Sequence, residues 1–145
     1  MKTVKQKGFV LQSFSKRRVK MEDKFKQQLV ESGADVETTL KRFMGNEAIY
    51  QKFLGKFPND PNYLNLGKNL EEGSFVAAYE CAHALKGVVG NLGLTPIFER
   101  VSDLVEELRN KAPEEVNVER ANEEWQEIKK VYEQFIAIIK ENMPA

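Results

Sequence analysis

From Met21 onward, the apolar residues of this chain recur in steps of three and four, which is the spacing of amphipathic helices. No stretch shows the sustained alternation of apolar and polar residues that a half-buried strand requires. The longest apolar run, at residues 135–139, is far shorter than the ~20 residues that span a bilayer. The spacing therefore predicts an all-α protein and argues against a transmembrane one.

Capping and breaking residues divide this pattern into segments. Asp35 and Asn46 are predicted N-caps, Gly45 and Gly73 are predicted stops, and Thr95-Pro96 is predicted to open a helix. The predicted helices are 22–31, 35–43, 46–57, 64–70, 74–92, 95–108 and 118–139. Long helices with narrow apolar stripes and short connections predict an antiparallel bundle.

Charge is unevenly distributed along the chain. Residues 1–20 carry seven Lys/Arg and no acid, which leaves 15 basic and 22 acidic residues, a net of −7, for residues 21–145. We expect a flexible basic extension over 1–20, with an arm that touches RNA or a membrane as the alternative, and one helical domain over 21–145. The acidic balance of that domain argues against a nucleic-acid surface.

The chain has one cysteine, Cys81, and one histidine, His83. A single cysteine forms no intramolecular disulfide, so a reducing, cytoplasmic location is expected. A protein zinc site needs about four ligands, and we expect no metal site here. Cys81 is expected to fill a buried or half-buried position, and Trp125 and the regularly spaced phenylalanines are expected to be core residues.

The helix predicted over 74–92 has an unusual outer face. At about 100° per residue, His83 lies ~130° from the centre of the apolar stripe and should point away from the core. The stripe consists of Phe75, Ala78, Ala82, Leu85, Val89 and Leu92. Beside His83 the wheel places Tyr79, Gly87 and Gly90, with Lys86 on the flank.

Two glycines on that face need an explanation, because each costs about 1 kcal/mol relative to alanine in a helix interior. Clearance for another molecule is our interpretation, and close packing against a neighbouring helix is the alternative. A lone outward imidazole has no triad partners, but a neutral ring nitrogen can attack an activated phosphoryl group. Lys86, three residues on, can offer an ammonium to the phosphoryl oxygens, and Gly87 leaves room for approach.

The segment 82–93, AHALKGVVGNLG, closely resembles the signature of histidine phosphotransfer (HPt) domains, His-x-Leu-Lys-Gly followed by small residues and a further glycine. The layout from about Ala34 to Ile139 looks like a stand-alone bacterial HPt protein, although the flanks match only in pattern and residues 1–20 lie outside the match. The resemblance implies an antiparallel four-helix bundle, here with additional short N-terminal helices. It also implies a phosphorelay role in two-component signalling.

The same resemblance assigns roles to individual residues. His83 corresponds to the phosphoacceptor, which is modified on its distal ring nitrogen, and Lys86 to the residue that stabilises the phosphoryl group. Gly87 corresponds to the glycine that lets a receiver domain come close, and Gly90 and Gly93 to small positions after it, with Gly93 expected at the helix end. Candidate receiver contacts are Tyr79, Glu80 and Asn91.

The implied partners are response-regulator receiver domains and a hybrid histidine kinase. Any Mg²⁺ belongs to the receiver, so the chain needs no cofactor of its own, and we expect a monomer that binds neither nucleic acid nor membrane. Because the sequence has no GxxxxGK[ST] loop, it is expected to be a phosphocarrier and not an enzyme. The alternatives are a non-phosphorylated adaptor that docks a receiver or kinase, and a phosphatase, which would need a polar residue where Gly87 stands.

Overall fold

The computed structural model describes residues 20–143, and over this range the chain is helical with no strand. The α-helices are α1 (Asp23–Glu31), α2 (Val36–Arg42), α3 (Glu47–Lys56), α4 (Pro61–Glu71), α5 (Phe75–Asn91), α6 (Thr95–Leu108) and α7 (Val118–Asn142). Short 3₁₀ turns at Phe57–Asn59 and Pro113–Glu115 precede α4 and α7. The all-α prediction is confirmed.

Two predicted caps are formed. The Asp35 side chain accepts a hydrogen bond from the Thr38 N–H at 3.1 Å, and Asn46 accepts one from the Ile49 N–H at the same distance. These bonds satisfy amides that a helix N-terminus leaves without an internal partner. Thr95 differs from its prediction, because it is the first residue of α6 and Leu94 occupies the cap position.

Helix α5 lies between α4 and α6 and packs extensively against both. Helix α7 packs mainly against α6, with smaller contacts to α1, α3 and α4. The buried apolar side chains from all seven helices form one continuous core. This arrangement fixes the rotation of α5, because its apolar stripe is held between its neighbours while the opposite face is left to solvent.

Not every residue expected in the core is buried. Phe53 remains 44% exposed, and its ring stacks on Phe43, at 5.9 Å between centroids. Val118, 49% exposed, is the first residue of α7 and lies at the end of the helix. Trp125 is half-buried, because its indole lies on the surface of α4 against Gly67 and Tyr63.

Gly93 lies in the turn between α5 and α6 and is needed there for two reasons. Its φ of +71° is in the region that side chains rarely adopt. A Cβ at this position would also collide with the Thr39 hydroxyl and with the backbone oxygen of Asp35. The Asp35 N–H donates to the Gly93 carbonyl at 2.8 Å, so the turn is fastened to the start of α2. The expectation that Gly93 is a helix-end residue agrees with this geometry.

Within residues 20–143, none of the helices is both long and apolar enough to cross a membrane. The basic extension expected over residues 1–20 lies outside the described residues, except for Lys20 at its end.

Candidate functional site

His83 lies in the middle of α5, and its side chain is exposed, as the helical spacing predicts. The residues on the opposite face of the same helix, Ala82, Leu85 and Val89, are completely buried. The imidazole is therefore presented to solvent by a helix whose orientation is set by its buried face.

Tyr79 is the nearest aromatic neighbour of His83, one turn earlier in α5. The two ring centroids are 5.9 Å apart and the ring planes are inclined at 40°. Side chains on a helix lean toward its N-terminus, which brings the imidazole over the residue at i−4. Tyr79 is half-buried, so one side of the imidazole faces an aromatic ring and the other remains accessible.

Arg109, at the end of α6, belongs to this site although the sequence reasoning did not single it out. Its Nη1 donates a hydrogen bond to the Tyr79 hydroxyl at 3.1 Å, and its guanidinium carbon lies 5.7 Å from the centroid of the Tyr79 ring. The signal in the sequence is indirect, because the antiparallel register that pairs Gly90 with Phe98 also pairs Tyr79 with Arg109. That register becomes visible only when the two helices are packed.

Lys86 lies one turn after His83 and is half-buried. Its Nζ lies 5.7 Å from the centroid of the Phe98 ring on α6, in a cation–π arrangement. The ammonium therefore rests on the neighbouring helix in this structure. Its flexible four-carbon stem allows it to leave this weak contact when an anion is present nearby.

The two glycines interpreted as clearance differ in their surroundings. Apart from the adjoining residues and backbone of its own helix, a Cβ added at Gly87 would meet nothing in residues 20–143 within 4 Å, so this position is open on the surface. A Cβ at Gly90 would lie 3.2 Å from the Phe98 ring. The close packing of α5 on α6 accounts for Gly90, which favours the alternative interpretation, packing against a neighbouring helix, for this residue.

Glu80 and Asn91, the remaining candidate contacts, are both exposed on α5. The backbone carbonyls of Gly90 and Asn91 accept hydrogen bonds from Arg42 Nη2 at 2.9 and 3.4 Å. A cation in this position is favourable, because the carbonyls at a helix C-terminus carry partial negative charge.

Next to Arg42 lies an open, largely apolar groove of about 530 Å³ between the end of α5 and helices α2 and α3. It is lined by Arg42, Phe43, Phe53, Lys56, Phe57, Asp60, Val88, Asn91 and Leu92. The groove accounts for the exposure of Phe53, whose ring forms part of its wall.

Cys81 is half-buried, and its sulfur accepts a hydrogen bond from Asn69 Nδ2 at 3.5 Å, in agreement with a packing role. Between residues 20 and 143 no group of three or more His, Cys, Asp or Glu side chains is placed to hold a metal ion.

The face around His83 is a convex helix surface that offers a nucleophile, an open approach at Gly87 and nearby cations. Comparison with family models, curated proteins and solved structures finds no match for this chain. Its function is therefore inferred from the motif and from the geometry of this face.

Proposed function

We propose that the chain is a phosphocarrier of the HPt type, in which His83 accepts a phosphoryl group from an aspartyl phosphate and passes it to another receiver domain. The observation that carries the proposal is the exposed imidazole of His83 beside the unobstructed surface at Gly87. A bulky partner can reach the ring there, because no side chain of the described residues covers that position.

In the transfer step, the lone pair of the distal nitrogen of His83, Nε2, attacks the phosphorus of the donor. The N–P bond forms as the acyl phosphate P–O bond breaks, and the aspartate leaves as a carboxylate. The proton on Nδ1 stays on the ring. Lys86 exchanges its contact with Phe98 for the phosphoryl oxygens, where its positive charge offsets the charge brought to the helix surface.

The architecture that accompanies this function is an antiparallel four-helix bundle of α4, α5, α6 and α7, with α1, α2 and α3 as additions. In support, each of these four helices packs against the next along the chain, and α7 also contacts α4. Such a bundle needs no pocket around His83, since the reaction is completed by groups that the partner brings.

The partners are receiver domains of response regulators and of a hybrid histidine kinase, and the Mg²⁺ of the reaction is held by the receiver. The chain is expected to act as a cytoplasmic monomer. A transient contact of this kind suits an exposed helix face that is open at Gly87 and bordered by polar side chains.

The test is phosphoryl transfer from a ³²P-labelled, phosphorylated receiver domain to the purified chain. We expect a label that is stable in alkali and labile in acid, as for a phosphoramidate of histidine. The variant His83→Gln should acquire no label while retaining the helical circular dichroism spectrum of the wild type. Equal labelling of the two proteins would refute the proposal, and a wild type that binds receivers without acquiring label would favour the adaptor.

A further inference from the structure

We propose that Tyr79 and Arg109 position the imidazole of His83 for transfer, an inference that rests on the function proposed above. Neither residue contacts the reacting atoms in this role. Tyr79 limits the orientations of the imidazole, and Arg109 holds Tyr79 in place from the neighbouring helix.

The Tyr79 ring restricts the imidazole of His83, which lies one turn later on α5. His83 is exposed, so an isolated imidazole at this position would rotate freely about its side-chain bonds. The Tyr79 ring, 5.9 Å away between centroids and inclined by 40°, closes off one side of that space. Tilted aromatic pairs at this separation attract each other, which favours the rotamer seen here.

Tyr79 is itself held in place by Arg109. Its hydroxyl accepts the hydrogen bond from Arg109 Nη1, and the guanidinium also lies over its ring. Arg109 is held in turn by Glu106, whose Oε2 accepts a hydrogen bond from Arg109 Nε at 3.1 Å. A chain of contacts thus runs from Glu106 through Arg109 and Tyr79 to His83, across the packed pair α5 and α6.

The consequence concerns the distal nitrogen of His83. A nucleophile that samples fewer orientations spends more time in those that allow attack, so holding the ring raises the rate of the transfer step itself. It leaves the affinity for the partner unchanged, because Tyr79 and Arg109 act within the chain. A positioning role therefore changes the rate of transfer, whereas a docking role would change the affinity for the partner.

The experiment compares Tyr79→Leu, Tyr79→Phe, Arg109→Gln and Arg109→Lys with the wild type. Transfer from a phosphorylated receiver is followed by rapid quench over a range of receiver concentrations, which separates the maximal rate from the half-saturating concentration. The mobility of the imidazole is measured by ¹³C relaxation of its ring carbons, which is unambiguous because the chain has a single histidine. Arg100→Gln is the matched control, since Arg100 is an exposed arginine of α6 that pairs with Glu127 instead.

We expect Tyr79→Leu to lower the maximal rate about three- to tenfold, with the half-saturating concentration unchanged and the imidazole more mobile. Tyr79→Phe and Arg109→Gln should have smaller effects of the same kind, Arg109→Lys should restore part of the loss, and the control should match the wild type. An unchanged maximal rate, or a loss confined to the half-saturating concentration, overturns the inference. If the wild type accepts no phosphoryl group, the proposed function fails, and the inference about ring mobility stands or falls on the relaxation data.

Discussion

Gly87, Gly90 and Gly93 lie three residues apart and have three different reasons to lack a side chain. Gly87 is open to solvent, Gly90 is packed against Phe98, and Gly93 combines a positive φ with contacts to α2. A sequence shows three glycines at regular spacing, while the structure shows that only the first of them leaves free space on the His83 face.

A Gly→Ala series at these positions should therefore give different changes in stability. Gly87→Ala should stabilise the fold by about 0.5–1 kcal/mol, because alanine loses less conformational entropy in a helix and meets no neighbour. Gly93→Ala should destabilise it by more than about 1 kcal/mol through strain and collision. Gly90→Ala should fall between them, since Phe98 must shift. Urea unfolding measures all three.

The order of the three changes is the decisive observation. A destabilising Gly87→Ala would mean that the position is covered, which would also remove the open approach to His83. A harmless Gly93→Ala would contradict the tight junction between the α5–α6 turn and Asp35.

At the scale of single residues, the sequence predicts the direction of a side chain correctly when that direction depends on one helix alone. The outward direction of His83 follows from the periodicity of α5 alone, and the structure agrees with it. Arg109 and the role of Gly90 depend on how α5 meets α6, which periodicity within one segment does not contain. Phe98 of α6 is a further example, since it packs against Gly90 and lies under Lys86 of α5.

Between elements, the junction of α6 and α7 holds a cluster of charged side chains. Glu107 pairs with Lys111 at 2.9 Å and with Arg120 at 3.3 Å. Glu124 pairs with Arg120 through Oε2, but its Oε1 is buried with no hydrogen-bond partner in the described part of the chain. Burial raises the pKa of Glu124, and the pull of Arg120 does not cancel that rise.

Glu124→Gln should therefore stabilise the protein at pH 7. A carboxyl whose pKa is higher in the folded state than in the unfolded state costs stability when ionised, and the cost disappears as the pH falls through the raised pKa. The amide has no charge to desolvate, so the gain should be present at neutral pH and absent near pH 4. Thermal unfolding across this pH range measures the difference.

Glu123→Gln is the matched control, because Glu123 is the exposed neighbour on the same helix. The Glu123 variant should show no comparable gain at pH 7. A loss of stability in Glu124→Gln would show that the ion pair with Arg120 outweighs the burial of the carboxylate.

The element boundaries were predicted in part: α6 is capped at Leu94 where Thr95 was expected, and α4 begins at Pro61, three residues before its predicted start. The caps at Asp35 and Asn46 are short-range events, and both occur as expected. The exposure of Phe53 was not predictable, because it depends on a groove between helices that are far apart in sequence. Val118 matched the apolar spacing of α7 but is the first residue of the helix, where its side chain stays about half exposed.

At the scale of the whole molecule, the core is continuous, and several buried polar bonds connect distant segments. The Tyr50 hydroxyl donates to the Leu92 carbonyl, and the Tyr132 hydroxyl donates to the Phe57 carbonyl, both at 3.1 Å. These bonds join α3 to the end of α5 and α7 to the turn before α4. The helices of residues 20–143 therefore share one core and do not divide into two separately packed groups.

We expect the described domain to unfold in a single cooperative transition. Trp125, the only tryptophan, reports on the contact of α7 with α4 through Tyr63 and Gly67, whereas far-ultraviolet circular dichroism reports on all helices. The two signals should have the same midpoint in urea. A fluorescence midpoint clearly below the dichroism midpoint would show that α4 and α7 separate before the rest unfolds.

The position of Lys86 also affects the charge that this surface presents to other molecules. Its ammonium rests on the electron-rich face of Phe98 and is partly withdrawn from solvent in the resting molecule. A doubly negative group arriving at the helix would attract it far more strongly than the ring does. If His83 carries a phosphoryl group as proposed, Lys86 would pair with that group, and the charge distribution on this helix face would differ between the phosphorylated and the free protein without any rearrangement of the backbone.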